Sequence, residues 1–519
     1  MTARLLRPLA GGLACACMLC SPPLAAADDF EAFRRQQQQG VQQQQAEFHA
    51  YREEQDAEFA DFLKSQWREF ETFRGKVRIK EPKPHQAPVV VPPAVPVRPA
   101  VPVVPAPVIP PAKPPVTKPV VVAPVVPPPS PLPVPPKPVP RAADMLEIEF
   151  YGNPVNFAFD PKWRSYRWSG NASPEAMSSF WSLMSSSRYE STIQAVAAAR
   201  RDLNLDDWGH VALWRGVVQA LQPGRKTEQS MLLWYFLIKS GYDVRLGYAA
   251  TDVYLFVAVR QQVYATKFTT VGQQTYYALL AEDRGDGIGR FYTYEASYPV
   301  KLRPVDIHSA ATAFTRPSPA QRDLKFDFKG ETITMRVPYD RALVAYLASF
   351  PQSDFELYFD TDGSSLLRRG LVEELRRHTA KMDEESAVNF LLAFVQKSFA
   401  YKTDNDQFGR EKYFFVEESL HYPYNDCEDR SVIFAWLVNE LRGIRVVGLL
   451  YPGHMTTAVA LEQIRPGLAT IEHQGKRFVI ADPTYIGSTA GMPMPSYAQL
   501  KPSKVVDMQY RLRGKGQSN

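Results

Sequence analysis

Proline sets the first limit on how this chain can fold. Residues 82–140 hold 25 of its 45 prolines, most of them interleaved with valine and alanine. Proline fixes the backbone angle φ and lacks an amide donor, so this stretch can build neither helix nor sheet and favours the extended polyproline II conformation. We therefore predict a Pro-rich linker over residues 79–143, which separates an N-terminal part of the chain from a globular part.

The first 27 residues have the layout of a secretory signal peptide. Two arginines precede an apolar run of 11 residues from Leu9 to Leu19, and Ala25 to Ala27 offer a small-residue cleavage site. The apolar run is too short to span a bilayer. We predict a signal peptide over residues 1–27, export to the periplasm or the cell exterior, and no transmembrane segment.

Residues 28–78 carry the periodicity of a single long helix. They are rich in Gln, Glu and Arg and contain no proline. Pairs of aromatic residues recur there every 11 residues: Phe48 and Tyr51, Phe59 and Phe62, Phe70 and Phe73. This repeat corresponds to about 3.67 residues per turn, so the aromatic side chains form one stripe along a coiled-coil-like helix. The stripe needs a partner, which is either the rest of the chain, a second copy or a component of the cell envelope.

Charge and cysteine usage narrow the class of the protein. The net charge of +5 over 519 residues does not indicate a nucleic-acid partner, and we expect neither a metal nor another cofactor. Three of the 4 cysteines lie in the predicted signal peptide, which leaves Cys427 as the one thiol of the exported chain. A lone thiol in an oxidising compartment is either a buried structural residue or a reactive group.

The globular part contains short internal matches that keep the same order. We interpret residues 144–305 and 320–505 as two tandem units of an α+β fold, followed by a tail over residues 506–519. The matched segments are Leu146–Gly152 with Leu324–Gly330 at an offset of 178, Gly241–Arg245 with Gly443–Val447 at an offset of 202, and Arg290–Tyr298 with Arg477–Tyr485 at an offset of 187.

Cys427 is predicted to lie in the first turn of a buried helix. Asn425 and Asp426 are good N-cap residues, and the apolar run after them ends near Gly443. Free backbone N–H groups and the helix dipole at such a position favour a thiolate and can bind the oxyanion of an acyl intermediate. The two acidic residues that follow Cys427 oppose the thiolate unless their side chains point away.

A base and an orienting acid for this thiol follow 27 and 55 residues later. His454 comes after a turn and opens a strand pattern, and Asp482 closes the next strand pattern. Because we expect the two strands to pair in antiparallel fashion, we expect Asp482 to lie beside His454. The arrangement predicts a triad in which Cys427 is the nucleophile, His454 the base and Asp482 its orienting partner.

These motifs resemble the core of the transglutaminase-like superfamily. Cys427-x-Asp429 opens a helix, Gly453-His454 opens a strand, and Asp482-Pro483-Thr484-Tyr485 closes the next strand, in the family's order over about residues 365–490. The resemblance implies a papain-like fold, a bacterial exported member of the family, and the same three residues in the catalytic roles. Tyr422, Asn425 and Asp429 are our candidates for binding the oxyanion or the substrate.

The internal matches distinguish the two units by their chemistry. At the offsets of 202 and 187, the triad positions of the second unit correspond to Arg225, Asp252 and Glu295 in the first. We therefore predict a degenerate transglutaminase-like domain over residues 144–305 and a catalytic transglutaminase-like domain over residues 320–505.

The features together predict an exported cysteine protease or amidase that forms an acyl-thioenzyme on a protein or peptide substrate. One alternative is a transglutaminase, which passes the acyl group to an amine instead of water. The other alternative is a non-catalytic envelope scaffold that the helix of residues 28–78 tethers to its partner.

Overall fold

The computed structural model describes residues 54, 56–61, 144–170, 172, 174–249, 252–279, 291, 293, 300–308 and 312–508. The predicted signal peptide, the Pro-rich linker over 79–143 and most of the predicted helix over 28–78 lie outside these residues, as does the chain from residue 509. The chain divides into two units, Met1–Phe59 and Ala60–Asn519. In the first unit, residue 54 and residues 56–59 are helical. All the described sheets belong to the second unit.

The first lobe of the second unit spans residues 144–308 and combines a hairpin, a group of helices and a small sheet. Its elements are β1 (Met145–Phe150), β2 (Asn153–Ala158), α1 (Pro161–Ser165), α2 (Pro174–Ser185), α3 (Tyr189–Asp202), α4 (Asp207–Leu221), α5 (Lys226–Lys239), β3 (Val244–Ala249), β4 (Asp252–Ala258), β5 (Phe268–Val271) and β6 (Gln274–Tyr277). The last four strands form an antiparallel sheet in the order β3-β4-β6-β5.

The second lobe spans residues 312–508 and begins with a longer hairpin. Its elements are β7 (Pro319–Phe328), β8 (Glu331–Asp340), α6 (Arg341–Leu347), α7 (Phe355–Phe359), α8 (Ser365–Leu367), a π-helical segment (Arg368–Val372), α9 (Glu373–Thr379), α10 (Glu384–Ser398), α11 (Asp404–Phe408), α12 (Val416–His421), α13 (Cys427–Arg442), β9 (Val446–Tyr451), β10 (His454–Val459), β11 (Thr470–His473), β12 (Lys476–Ala481) and β13 (Lys504–Asp507). The last five strands form a sheet in the order β11-β12-β10-β9-β13. The fold is therefore mixed α and β, as predicted.

The hairpins that open the two lobes share one turn geometry. Tyr151 and Gly152 have φ angles of 46° and 81°, and Lys329 and Gly330 have φ angles of 49° and 86°. Positive φ at both central residues is the geometry of a type I′ turn, in which glycine at the second position carries no steric cost. The first strand and the turn of both hairpins lie in the matched segments at an offset of 178.

Each lobe is built around one helix whose middle turns are apolar and buried on all sides. In α5 every side chain from Met231 to Leu237 is at most 1% exposed, and in α13 every side chain from Ile433 to Val438 is fully buried. A helix that is hydrophobic all round must lie inside the protein. The α5 helix packs on β3 and β4, and α13 packs on β9 and β10. Helix α13 ends at Arg442, and Gly443 follows it in the left-handed conformation, with a φ of 66°.

The hairpins next to these helices have the same register. In the first lobe, β3 pairs with β4 from Val244↔Val257 to Ala249↔Asp252. In the second lobe, β9 pairs with β10 from Val446↔Val459 to Tyr451↔His454. Each residue of a pair in the second lobe has a number 202 higher than its counterpart in the first lobe, which is the offset that the sequence match indicated.

The correspondence at an offset of 187 is wrong. In the second lobe β12 pairs with β10, and in the first lobe β6 (Gln274–Tyr277) pairs with β4. The strand β6 precedes the matched segment Arg290–Tyr298 in the sequence. Thr293 of that segment lies beside β3 instead, where its hydroxyl donates to the Leu246 carbonyl at 2.9 Å. The strand that corresponds to β12 is therefore β6, because the similarity of two short strand sequences does not fix their place in a sheet. Glu295, the residue matched to Asp482, lies outside the described residues.

The two lobes are joined by backbone contacts. Val263 and Ser353 form an antiparallel bridge, and the Tyr264 amide donates to the Gln352 carbonyl at 2.8 Å. The Ser353 hydroxyl donates to the Gln262 carbonyl at 2.8 Å. These contacts fix residues 262–264 of the first lobe against residues 352–353 of the second.

Among the helices that the structure describes, none is both long enough and apolar enough to cross a membrane.

Candidate active site

Cys427 is the first residue of α13, and its side chain is buried. At the N-terminus of this helix, the backbone amide of Asp426 donates a hydrogen bond to the Asp429 carboxylate at 3.1 Å, as in a capping box. The Ser431 hydroxyl, one turn further, lies 2.7 Å from the Cys427 carbonyl and 3.4 Å from the Met455 carbonyl of β10. The first turn of α13 therefore lies directly against the start of the strand that begins with His454.

His454 and Asp482 form a buried hydrogen-bonded pair. They sit on neighbouring antiparallel strands, and His454 Nε2 lies 2.9 Å from Asp482 Oδ2. The other carboxylate oxygen accepts from the amides of Thr484 and Tyr485, at 2.9 and 3.2 Å. The carboxylate is thereby fixed as an acceptor, so it holds the imidazole proton on Nε2 and leaves Nδ1 as the nitrogen that can take a proton.

A tyrosine that the sequence did not single out covers the imidazole. The ring of Tyr497 stacks on the ring of His454, with centroids 4.7 Å apart and planes inclined by 25°. The same ring also contacts Tyr451, the last residue of β9. No sequence signal links Tyr497 to this site, because it lies in the irregular segment between β12 and β13.

Glu428 binds the thiol. Its Oε2 lies 2.8 Å from Cys427 Sγ, as the acceptor of an S–H donor. The sequence left open whether the two acidic side chains after Cys427 point away from the thiol, and the side chain of Glu428 does not. A carboxylate at this distance favours the neutral thiol over the thiolate. Activation of Cys427 therefore requires that this contact be lost or that the charge of Glu428 be balanced.

Acidic side chains gather around the first turn of α13. Carboxylate oxygens of Asp404, Glu411 and Glu428 lie within 4.8 Å of one another, and so do those of Asp404, Asp426 and Asp429. Burial raises the pKa of Asp429 well above its usual range, and the charges of Asp404 and Glu428 raise it further. Buried like charges at this spacing repel one another unless a proton or a cation balances them.

This acidic group has the chemistry of a site for a hard divalent cation. Ca²⁺ and Mg²⁺ prefer carboxylate oxygens, and Asp404 belongs to both triplets. The residues come from α11, from the loop after it and from the first turn of α13, so a bound cation would link these three parts. We expected no metal from the sequence; these five residues are spread over 26 positions and form no contiguous loop motif.

The three residues predicted to bind the oxyanion or the substrate have different surroundings. Asn425 is fully buried, and neither atom of its carboxamide has a hydrogen-bond partner among the described residues. Asp429 is occupied, since its two oxygens accept from the amides of Phe414 and Asp426. The ring of half-buried Tyr422 stacks on Phe414. Of the three, Asn425 is the one whose buried side-chain donor has no partner among the described residues.

The segment between Thr403 and Asp426 is partly helical. It contains α11 and α12, and the rings of Tyr413, Phe414 and Phe415 are buried in the core. Tyr424, directly before Asn425, is 38% exposed. The segment therefore mainly fills space behind α13, and only part of it reaches the surface beside the thiol.

No protein-family model, no curated protein and no solved structure matches this chain.

Proposed function

We propose that this protein is an exported cysteine hydrolase, which forms an acyl-thioenzyme on the peptide or carboxamide bond of a protein substrate. The observation that carries the proposal is the buried His454–Asp482 pair at 2.9 Å, held on strands against the helix that starts at Cys427. A nucleophile at a helix N-terminus, a base on the adjoining strand and a fixed carboxylate behind the base are the parts that thiol catalysis requires.

The proposed reaction has two steps. In the first, His454 Nδ1 takes the thiol proton, Cys427 Sγ attacks the carbonyl carbon, and the carbon–nitrogen bond breaks as the imidazolium protonates the leaving amine. The Asn425 carboxamide and the backbone amides at the start of α13 would bind the oxyanion. In the second step, water activated by His454 adds to the thioester and releases the acid and the free thiol.

We further propose that the chain belongs to the transglutaminase-like superfamily, with residues 320–505 as the catalytic domain and residues 144–305 as a degenerate copy. It is supported by the common register of β3–β4 and β9–β10. It is also supported by the order β3-β4-β6-β5, which matches the order β9-β10-β12-β11 within the five-stranded sheet. At the matched positions the first lobe has Arg225 directly before α5 and Asp252 at the start of β4, so it offers neither thiol nor imidazole.

Thiol reactivity tests the proposal directly. In the mature chain Cys427 is the one cysteine, so labelling by a fluorescent iodoacetamide reports this residue alone. We expect labelling of the folded protein at neutral pH, none in Cys427→Ala, and a rate lower by roughly two orders of magnitude in His454→Ala and Asp482→Asn. His378→Ala, on α9 and partly exposed, is the matched control. If the folded protein resists the probe and Cys427→Ala behaves as wild type, the protein is not a thiol enzyme.

Two outcomes separate hydrolysis from amine transfer. The protein is incubated with unfolded casein and a fluorescent primary amine, and both released peptides and incorporated amine are measured. We expect peptide release, because water can always resolve the thioester, whereas no amine-binding site is apparent among the described residues. Covalent amine incorporation that depends on Cys427 would assign the protein as a transglutaminase.

A non-catalytic scaffold is the second candidate, and the closed state of the site favours it. Cys427 and His454 are 3% and 6% exposed, and the thiol is bound to Glu428. In this case Cys427 is a structural residue, and the predicted helix over 28–78 carries the function by binding an envelope partner or a second copy. The labelling experiment above decides between the two.

A further inference from the structure

A cavity lies between the two lobes, next to the segment that packs behind α13. Its volume is about 440 Å³, within the range of small-ligand sites. The first lobe contributes one wall, through residues 264–266 and Leu279, and the second lobe contributes the others. The aromatic and aliphatic side chains of the lining are Tyr264, Leu279, Phe350, Tyr358, Tyr413 and Phe415.

Hydrogen bonds between the lobes hold this wall of the cavity in place. The Tyr264 amide is bound to the Gln352 carbonyl, and its hydroxyl donates to Asp354 at 2.7 Å. Ala265 follows with a φ of 53°, a conformation that residues with a side chain rarely adopt. Backbone strain of this kind persists where the surrounding structure enforces it, and it is concentrated at ligand-binding sites.

The charge of the lining is positive. It contains two cationic side chains and one carboxylate, and the carboxylate of Glu418 is taken by Lys412. Arg410 is exposed, and its guanidinium donates to the Glu411 carbonyl at 3.2 Å. Within the described residues it has no carboxylate partner. A guanidinium beside aromatic rings favours a ligand that has an acidic group next to an apolar one.

The cavity borders the residues that control the thiol. Glu411, next to Arg410, has its carboxylate within 4.8 Å of that of Glu428, which binds Cys427 Sγ. Phe414, between the two lining residues Tyr413 and Phe415, donates its amide to Asp429 at 2.9 Å. A ligand in the cavity therefore touches the loop that is anchored to the first turn of α13.

We propose that this cavity is a substrate-recognition site, which binds an aromatic or large aliphatic side chain of a protein substrate together with a neighbouring carboxylate. The inference rests on the proposed function, because that function identifies the ligand as a protein substrate. It gives the first lobe a role, since that lobe supplies a wall of the site while lacking a thiol and an imidazole at the matched positions.

Peptide binding to the Cys427→Ala variant of the mature chain tests the site without catalysis. The probes are three fluorescein-labelled, glycine-flanked peptides with the central pairs Phe-Glu, Phe-Gln and Ala-Glu, titrated by fluorescence polarisation. We expect Phe-Glu to bind about tenfold more tightly than either other peptide, because each loses one of the two recognition elements. Equal binding of Ala-Glu and Phe-Glu would overturn the proposal.

Two variants locate the binding. Arg410→Ala should weaken Phe-Glu about tenfold and leave Phe-Gln unchanged, whereas Arg316→Ala, at an exposed arginine outside the cavity lining, should change neither. Ala348→Trp should fill the cavity and abolish binding of both Phe peptides, with a thermal melt to verify folding. Unchanged binding in both cavity variants would overturn the site.

The labelling of Cys427 separates this inference from the proposed function. Peptide binding at the cavity in a protein whose thiol is inert would support a recognition site and reject the enzyme. A reactive thiol in a protein that binds none of the peptides would support the enzyme and reject the recognition site.

Discussion

At the scale of single residues, Glu428 contacts Cys427 directly. It accepts the thiol proton in a hydrogen bond and disfavours the thiolate by its charge. In the proposed mechanism the imidazole of His454, oriented by Asp482, removes that proton. Under that proposal, a substrate or a cation has to displace or neutralise Glu428 before the thiol reacts.

We expect Glu428→Gln to make the thiol more reactive. The substitution keeps the size of the side chain and removes the negative charge beside the sulfur, so alkylation at neutral pH should accelerate by roughly tenfold and its pH midpoint should fall. The measurement is the pH–rate profile of iodoacetamide labelling, with Glu374→Gln on α9 as the control. A slower reaction would mean that Glu428 helps to remove the proton.

Tyr497 is expected to position His454. Its ring excludes water from one face of the imidazole, so Tyr497→Ala should let water compete for the His454–Asp482 hydrogen bond and slow labelling of Cys427 by roughly tenfold. Tyr497→Phe keeps the ring and should behave as wild type. Met492→Ala, which removes an exposed side chain of the same segment, is the control. Equal rates in the Ala and Phe variants would remove Tyr497 from the site.

At the scale of elements, buried carboxylates hold the helices behind α13 in place. Glu417 on α12 accepts from the Asp340 amide at the end of β8 and from the Ser364 amide and hydroxyl before α8. Burial raises the pKa of Glu417 to about 7, although these hydrogen bonds act against the shift. The Glu417 side chain thus links α12 to the end of β8 and to the start of α8, although burial of its negative charge is unfavourable.

The raised pKa of Glu417 predicts a pH-dependent stability. Because the folded value lies above the ordinary value near 4.5, the stabilisation is complete below about pH 4.5 and is lost as the pH rises to about 7. The loss amounts to at most about 3 kcal/mol. Glu417→Gln should flatten the dependence of the unfolding free energy on pH in this window, and Glu374→Gln should leave it unchanged. A curve of unchanged slope would contradict the prediction.

The acidic residues around Asp404 predict a response to divalent cations. A cation that binds the folded state alone raises its stability by mass action, so millimolar CaCl₂ should raise the unfolding midpoint by several degrees and a chelator should reverse the change. Asp404→Asn removes the residue common to both triplets and should abolish the response. Unfolding curves that are identical with calcium and with a chelator would exclude a cation site here.

At the scale of the whole second unit, the two lobes share packed side chains as well as backbone contacts. Tyr346 of the second lobe is 1% exposed, contacts the rings of Phe150 and Tyr151 in the first lobe, and donates its hydroxyl to Asp206 at 3.0 Å. The hydroxyl therefore has a partner, and the ring fills the space between the lobes. The lobes are expected to unfold together.

Tyr346→Ala tests this coupling. Removal of a fully buried aromatic ring should cost about 3–5 kcal/mol, and the loss should appear as one cooperative transition at a lower temperature. Ile486→Ala, at a largely exposed side chain, should cost less than about 0.5 kcal/mol. Two separate transitions in wild type, with one of them unaffected by Tyr346→Ala, would show that the lobes fold independently.

Several features of the fold and the site follow from the sequence alone because they depend on local patterns. The capping residues and the apolar run defined α13 from Cys427 to Gly443. The alternating strand patterns gave both hairpins, and their order along the chain placed Asp482 beside His454. These features need contacts between neighbouring elements only.

The tertiary structure alone decided which side chains surround the thiol. The side chain of Glu428 could have pointed toward Cys427 or away from it, and the structure shows that it points toward the thiol. The stacking of Tyr497 on His454 and the acidic group around Asp404 bring together residues from different elements. The place of Thr293 beside β3 was also decided there, since a strand pattern does not specify its neighbour in a sheet. Local sequence determines where a helix or strand begins, whereas packing in three dimensions determines which charges and rings meet at the site.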